Sequence, residues 1–289
     1  KKPYYTAAVT VGKLLRYTMV HDFVAGDYMW TGIDYLGEAN WPQRSAGCGC
    51  LDTCGFEKDA FYFYKSVWNQ KEKFAYLCPH WNLKLEKGTV LPVICYTNCE
   101  DAELFVNGRS FGMKAKGFPC YGMTERYGHF DRYRRPANTD DLFLSWDVPY
   151  EPGKIEVVGY HDGKEVCRYK VETTGEAASI KLTVDKTSVD ADGRSIVQAE
   201  VRIVDSEGRL VFDACPELDF TLEGDAEIIG IDNGDPACHE QWKETKGRHA
   251  FNGMAYAVIR AGQNKGELKL TVTSSDNTLT NASVTIQVG

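Results

Sequence analysis

Residues 26–38 read GDYMWTGIDYLGE, and the organisation of the chain is worked out from them. The run Tyr28-Met29-Trp30 is apolar without polar alternation and stops at Thr31-Gly32. A parallel strand covered on both faces has that composition, because neither face meets water. Ahead of it, Tyr4, Ala8, Val11, Leu15 and Met19 recur at spacings of three and four, the stripe of an amphipathic helix. The pattern predicts a helix over 4–22 and a strand over 27–31. A loop rich in Gly, Pro and Cys follows, and then a second helix over 57–69. Phe61, Tyr64 and Trp68 on that helix keep helical spacing, which marks a packed stripe rather than a cofactor site. Helix, strand, long loop and helix read as the tail of a (β/α) barrel, a fold that presents its ligand site at the strand ends.

From residue 72 the rhythm changes. Short alternating stretches occupy 90–95, 102–106, 142–146, 155–160 and 166–171. Asn107-Gly108, Pro152-Gly153 and Asp162-Gly163 separate them. Asn-Gly and Asp-Gly between alternating stretches signal hairpins, since both turn residues need positive φ. Strands of this length and spacing predict an immunoglobulin-type sandwich over 72–174. A second set at 180–184, 197–204, 218–222, 256–260, 268–272 and 284–288 predicts another sandwich over 177–289. The segment 113–141, interleaving Tyr and Arg, is long for a connection. Loops of that length carry function or lack structure.

Composition narrows the classes. The chain has 289 residues, 43% hydrophobic and 12% aromatic, enough for two or three domains with ample core. Its net charge is −8 with Lys and Arg scattered, which speaks against a nucleic-acid partner. No apolar run reaches the roughly 18 residues of a membrane-spanning helix. No signal peptide is visible, and a periplasmic or secreted parent is the expectation. Cys48, Cys50 and Cys54 follow C-x-C-x3-C, unlike the paired C-x2-C of zinc sites. Free thiols are expected, with no metal and no cofactor.

Three motifs carry a resemblance across essentially the whole chain. They are GDYMWTGIDYLGEANWPQRSAGCGC from residue 26, LCPHWN at 77–82 with ELFVNGRSFG at 103–112, and NGDPACHEQWK at 233–243 followed by AFNG at 250–253. In that order they resemble the C-terminal portion of glycoside hydrolase family 2, closest to β-galactosidase-like members with extra C-terminal domains. The fold implied is mainly β: two immunoglobulin-like sandwiches preceded by the last helix–strand–helix piece of a (β/α)8 barrel, at 1–70. The function implied is that of a retaining exo-β-glycosidase acting on β-galactosides. A β-glucuronide is the alternative substrate, and a non-catalytic carbohydrate-binding or scaffold module is the alternative class.

Retaining glycosidases use two carboxyl groups roughly 5–5.5 Å apart. The resemblance puts both, as Glu, on earlier barrel strands, so no catalytic residue is expected in this chain. It makes Asp34 and Glu38 groups that hold the loop. Trp30 is the expected floor of the sugar subsite, its flat face against the C–H face of a hexose. Asp34 and Trp41 are expected beside it as substrate-binding residues. Trp81 in the HWN marker reads as core, and Asn233-Gly234-Asp235-Pro236 reads first as a turn. The expected partners are a β-linked oligosaccharide or glycoside, the remainder of the barrel and a second copy of the chain; the Tyr and Arg of 113–141 suit stacking on carbohydrate or docking against the barrel or a second subunit, with a solvated insertion as the alternative.

Overall fold

The computed structural model describes residues 5–116, 142–243 and 245–289. In chain order come helix α1 (Tyr5–Val20), two short strands β1 (Tyr35–Leu36) and β2 (Ser45–Ala46), and helix α2 (Asp59–Trp68). The remaining described residues are strand, turn and irregular segments. It packs as two compact units, Lys1–Gly32 with Glu57–Thr173, and Ile33–Phe56 with Thr174–Gly289. The block 1–70 is therefore shared: its loop 33–56 packs with the second sandwich and its second helix with the first. No helix among the described residues is long and apolar enough to cross a membrane.

The first unit holds β3 (Ala75–Cys78), β4 (Val90–Thr97), β5 (Asp101–Val106), β6 (Arg109–Ala115), β7 (Leu144–Pro149), β8 (Lys154–His161) and β9 (Lys164–Glu172). They form a three-stranded sheet β3-β4-β7 and a four-stranded sheet β6-β5-β8-β9, the strand number and division of a constant-type immunoglobulin sandwich. Leu77, Val93, Cys95, Trp146 and Val148 from one sheet meet Ala102, Leu104, Ile155 and Val157 from the other. Alternation along β5, buried at every second residue, follows from the period of two in a strand. The β5–β6 and β8–β9 turns use Asn107-Gly108 and Asp162-Gly163, all four residues at positive φ, as type I′ hairpins require. Trp81 is fully buried, its Nε1 donating to the Glu151 carbonyl at 2.9 Å.

The second unit holds β10 (Ser179–Val184), β11 (Ser188–Val189), β12 (Ile196–Val204), β13 (Glu217–Glu223), β14 (Ala226–Asp232), β15 (Gly247–His249), β16 (Met254–Ala261), β17 (Gly266–Ser274) and β18 (Ala282–Val288). The sheets run β10-β12-β16-β14 and β11-β18-β17-β13-β15. Val197, Val201, Ile203, Ala257 and Ile259 face Leu218, Phe220, Leu270, Val272 and Ile286 across its core.

The expected strand over 27–31 is a correction. These residues are irregular, with a bend at Trp30, and make no ladder among the described residues. Tyr28 is 95% and Trp30 74% exposed. A parallel strand exists only through hydrogen bonds to neighbouring strands, and no described strand offers them here. On α1, Leu15 is buried as the helical stripe predicts, and Arg16 is buried beside it. Of the segment 113–141, residues 117–141 lie outside the described residues, and the aromatic and arginine surface expected there lies outside them too.

Candidate functional site

The loop 33–56 carries two of the three candidate sugar-binding residues, and its shape is set by its own carboxylates. Asp34 is buried, and its Oδ1 accepts from the Gly49 amide at 2.6 Å. Its backbone N–H donates to the Leu51 carbonyl at 2.9 Å. Asp52 accepts from the amides of Cys54 and Phe56 at 2.8 and 3.0 Å, a side-chain turn of the kind Asp forms readily. Tyr35 donates its hydroxyl to Glu38, which sits at positive φ on the surface. Asp34 and Glu38 thus hold loop geometry, Asp34 from within.

The loop rests on the end of β14 and the turn after it. Asp232 accepts from Arg248 Nη2 at 2.7 Å, from Arg44 Nη2 at 3.0 Å and from the Asn233 amide at 2.8 Å. The Arg248 side chain is fully buried. Its Nη1 donates to the carbonyls of Glu240 and Gln241 at 3.0 and 3.2 Å. Buried charge persists when paired and hydrogen-bonded; the carboxylate pairs with both guanidiniums here, while the Nε of Arg44 and the Nε of Arg248 are buried without a hydrogen-bond partner. Arg44 also donates its backbone amide to the Pro236 carbonyl at 2.8 Å.

Asn233-Gly234-Asp235-Pro236 forms a turn, with Asn233 Oδ1 accepting from the Asp235 amide at 3.1 Å. Gly234 is at φ +74, and a Cβ there would fall 2.1 Å from Asp52 Oδ2. Only glycine lets the turn lie against the loop. Trp41 is 83% exposed, yet its ring is fixed on one side by His239 at a centroid distance of 4.8 Å. His239 Nε2 donates to the Pro42 carbonyl at 2.7 Å. The loop therefore offers an indole to solvent on a base made of partly buried ion pairs and a backbone-matched turn.

Asp34 and Trp41 are brought onto the same loop of the second unit, whereas Trp30 belongs to the first unit. Burial, then the Asp232 and Asp52 carboxylates, push the Cys54 thiol far above its ordinary range, so it stays protonated. None of the nine described cysteines is joined in a disulfide, and no described cluster of three or more His, Cys, Asp and Glu is arranged to hold a metal ion.

Sequence reading missed Arg44, Asp232 and Arg248. Arg44 and Asp232 are 188 residues apart, beyond any local pattern. The one signal was an arginine within GRH, a short strand with a buried centre.

Residues 180–285 match the family model for the glycoside hydrolase family 2 C-terminal domain 5. Residues 88–167 match a domain of unknown function (DUF4982). A β-galactosidase of Bacteroides ovatus is 37% identical over 88% of this chain and 27% of its own length. A putative β-glucuronidase of Formosa agariphila is 32% identical over 82% of this chain and 22% of its own. Among solved structures, a β-glycosidase from Bacteroides vulgatus superposes with a TM-score of 0.81 at 31% identity, over 96% of this chain and 32% of that one. A glycosyl hydrolase family 2 member from Bacteroides cellulosilyticus superposes at 0.83 with 26% identity, over 98% and 38%. The chain spans about a quarter of the length of these two curated relatives.

Proposed function

We propose that this chain, which belongs to glycoside hydrolase family 2 and corresponds to the C-terminal part of its members, serves a retaining exo-β-glycosidase acting on β-galactosides. Residues 1–70 would complete the catalytic barrel and the two sandwiches would brace it. In the parent protein one glutamate attacks the anomeric carbon while a second protonates the leaving oxygen and then activates water. Both glutamates are assigned outside this chain. Its own share is binding: Trp30, and independently Trp41, would each offer a flat apolar face to the C–H surface of a sugar, and Asp34 keeps its loop in shape.

The observation that carries this reading is the mounting of Trp41. An exposed indole held by a histidine ring tilted against it and by a partly buried ion network loses little freedom on binding, so a ligand gains nearly the full contact. Galactoside is preferred because the relative at 37% identity is a β-galactosidase. The β-glucuronidase relative at 32% keeps the glucuronide in the test.

The test is made in the parent enzyme with nitrophenyl β-galactoside. Trp30→Ala and Trp41→Ala are each expected to lower kcat/KM by about 10–100-fold, the equivalent of roughly 1.4–2.8 kcal/mol, with the circular dichroism unchanged. If both variants stay within about twofold of wild type, a loss of under ~0.5 kcal/mol, the subsite role is lost.

A further inference from the structure

The first sandwich contains a pair of cysteines that sugar binding and hydrolysis leave unused. Cys99 lies in the turn between β4 and β5, and Cys167 lies on β9, 68 residues further on. Their sulfurs are 3.4 Å apart, against roughly 2.05 Å in a disulfide. Strand β8 runs between them, and there Gly159 pairs with Cys167. A Cβ on Gly159 would lie 2.6 Å from both sulfurs. Any other residue at 159 would part them. Immediately beyond this pair the β8–β9 register shifts, between Gly159 and Tyr160, the kind of irregularity that re-aims a side chain.

The surroundings divide the two thiols into unequal partners. Lys116 donates to the Thr97 carbonyl at 2.7 Å and Lys73 to the Asn98 carbonyl at 3.3 Å, so two ammonium groups flank Cys99. The hydrogen bond with Cys167, then Thr97 and these two lysines, hold the Cys99 thiol below its ordinary range against the opposing effect of burial. The same hydrogen bond, with burial, pushes Cys167 up. Neighbouring Cys95 is pushed up to about 12, by burial first and then by Cys99, and does not compete as a nucleophile.

We propose that Cys99 and Cys167 are a redox pair that closes to a disulfide when the protein meets a peroxide. The Cys99 thiolate attacks one peroxide oxygen, the O–O bond breaks, and the departing hydroxide takes a proton to become water. Cys99 is then a sulfenic acid. The Cys167 sulfur attacks it, the S–O bond breaks, and the hydroxyl leaves with the Cys167 proton as a second water. Two thiols lose two electrons, and one peroxide becomes two waters. A small neutral oxidant suits this pair, since Cys99 is almost wholly buried. The bond ties β9 to the β4–β5 turn and closes a long loop, which raises resistance to unfolding.

The test uses the intact parent protein, treated with hydrogen peroxide, alkylated under denaturing conditions, digested and mapped by mass spectrometry. A peptide pair linked through Cys99 and Cys167 is expected, increasing with peroxide, abolished by dithiothreitol and absent from Cys167→Ser. In that variant Cys99 is expected to accumulate as sulfinic acid instead. The proposal is overturned if wild-type Cys99 and Cys167 are both recovered singly alkylated after peroxide. It is equally overturned if Cys99 of the wild type is over-oxidised while Cys167 remains a free thiol. The wild-type map decides the matter even if the variant fails to fold.

Discussion

Replacing Asp232 by alanine is expected to lower the unfolding free energy of the second unit by about 3–5 kcal/mol, the usual loss when one partner of a buried ion pair is removed. The reason is Arg248. Its side chain is fully buried and Asp232 is its carboxylate partner, at 2.7 Å. Without the carboxylate a guanidinium stays in the interior uncompensated, and arginine does not escape by losing its proton. Arg44, which is partly exposed, would lose the same partner at smaller loss. Asp232→Asn keeps an acceptor and is expected to fall between wild type and alanine. Urea unfolding of the three proteins measures the order. The alanine variant should also free the loop 33–56, which Trp41 fluorescence reports. A loss below about 1 kcal/mol, the range of surface pairs, would mean the network is held by other contacts.

Replacing Trp81 by alanine is expected to destabilise the first sandwich by about 3–5 kcal/mol, the range for large aromatic truncations in a core. Trp81 is fully enclosed and packs its ring against Tyr150 at a centroid distance of 5.2 Å. Its Nε1 satisfies the Glu151 carbonyl, and its own carbonyl accepts from the Thr173 hydroxyl at 3.0 Å. One residue thus joins the entry of the sandwich to the end of β7 and to the exit from β9. Trp81→Phe retains most of the volume but leaves the Glu151 carbonyl without this donor, for which a smaller loss of about 1–3 kcal/mol is expected. Chemical denaturation distinguishes the two. If alanine and phenylalanine cost the same, the hydrogen bond rather than the packing dominates.

Both sandwiches were legible because their information is local. Alternation along β5, β12 and β17 shows in the residues themselves, and Asn-Gly and Asp-Gly mark the turns. What escaped was local information of the wrong kind. Strand β6 is exposed along nearly its whole length, so it carries no alternation to read. Strand β14 reads IIGID and shifts register between Ile228 and Gly230, which breaks its period. The apolar run 28–30 looked like a strand because composition reports burial, whereas a ladder also requires neighbours.

The candidate site was half legible. The sequence singled out Trp30, Asp34 and Trp41, and the packing then separates their situations: Asp34 turned inward onto Gly49, the two indoles turned outward. The three-residue charge network that supports the Trp41 loop joins positions far apart in the chain. Charged residues at such distances have no periodicity in common, and only the folded structure brings them together.

The most direct measurement is hydrolysis of nitrophenyl β-galactoside, β-glucuronide, β-mannoside and β-glucoside by the parent protein and, separately, by this 289-residue chain. The parent is expected to turn over the galactoside most rapidly and the chain alone to turn over none, since the role proposed for it is a subsite wall and a brace. Turnover by the isolated chain, persisting in Asp34→Asn and Glu38→Gln variants, would contradict the account and put the catalytic pair within the β domains.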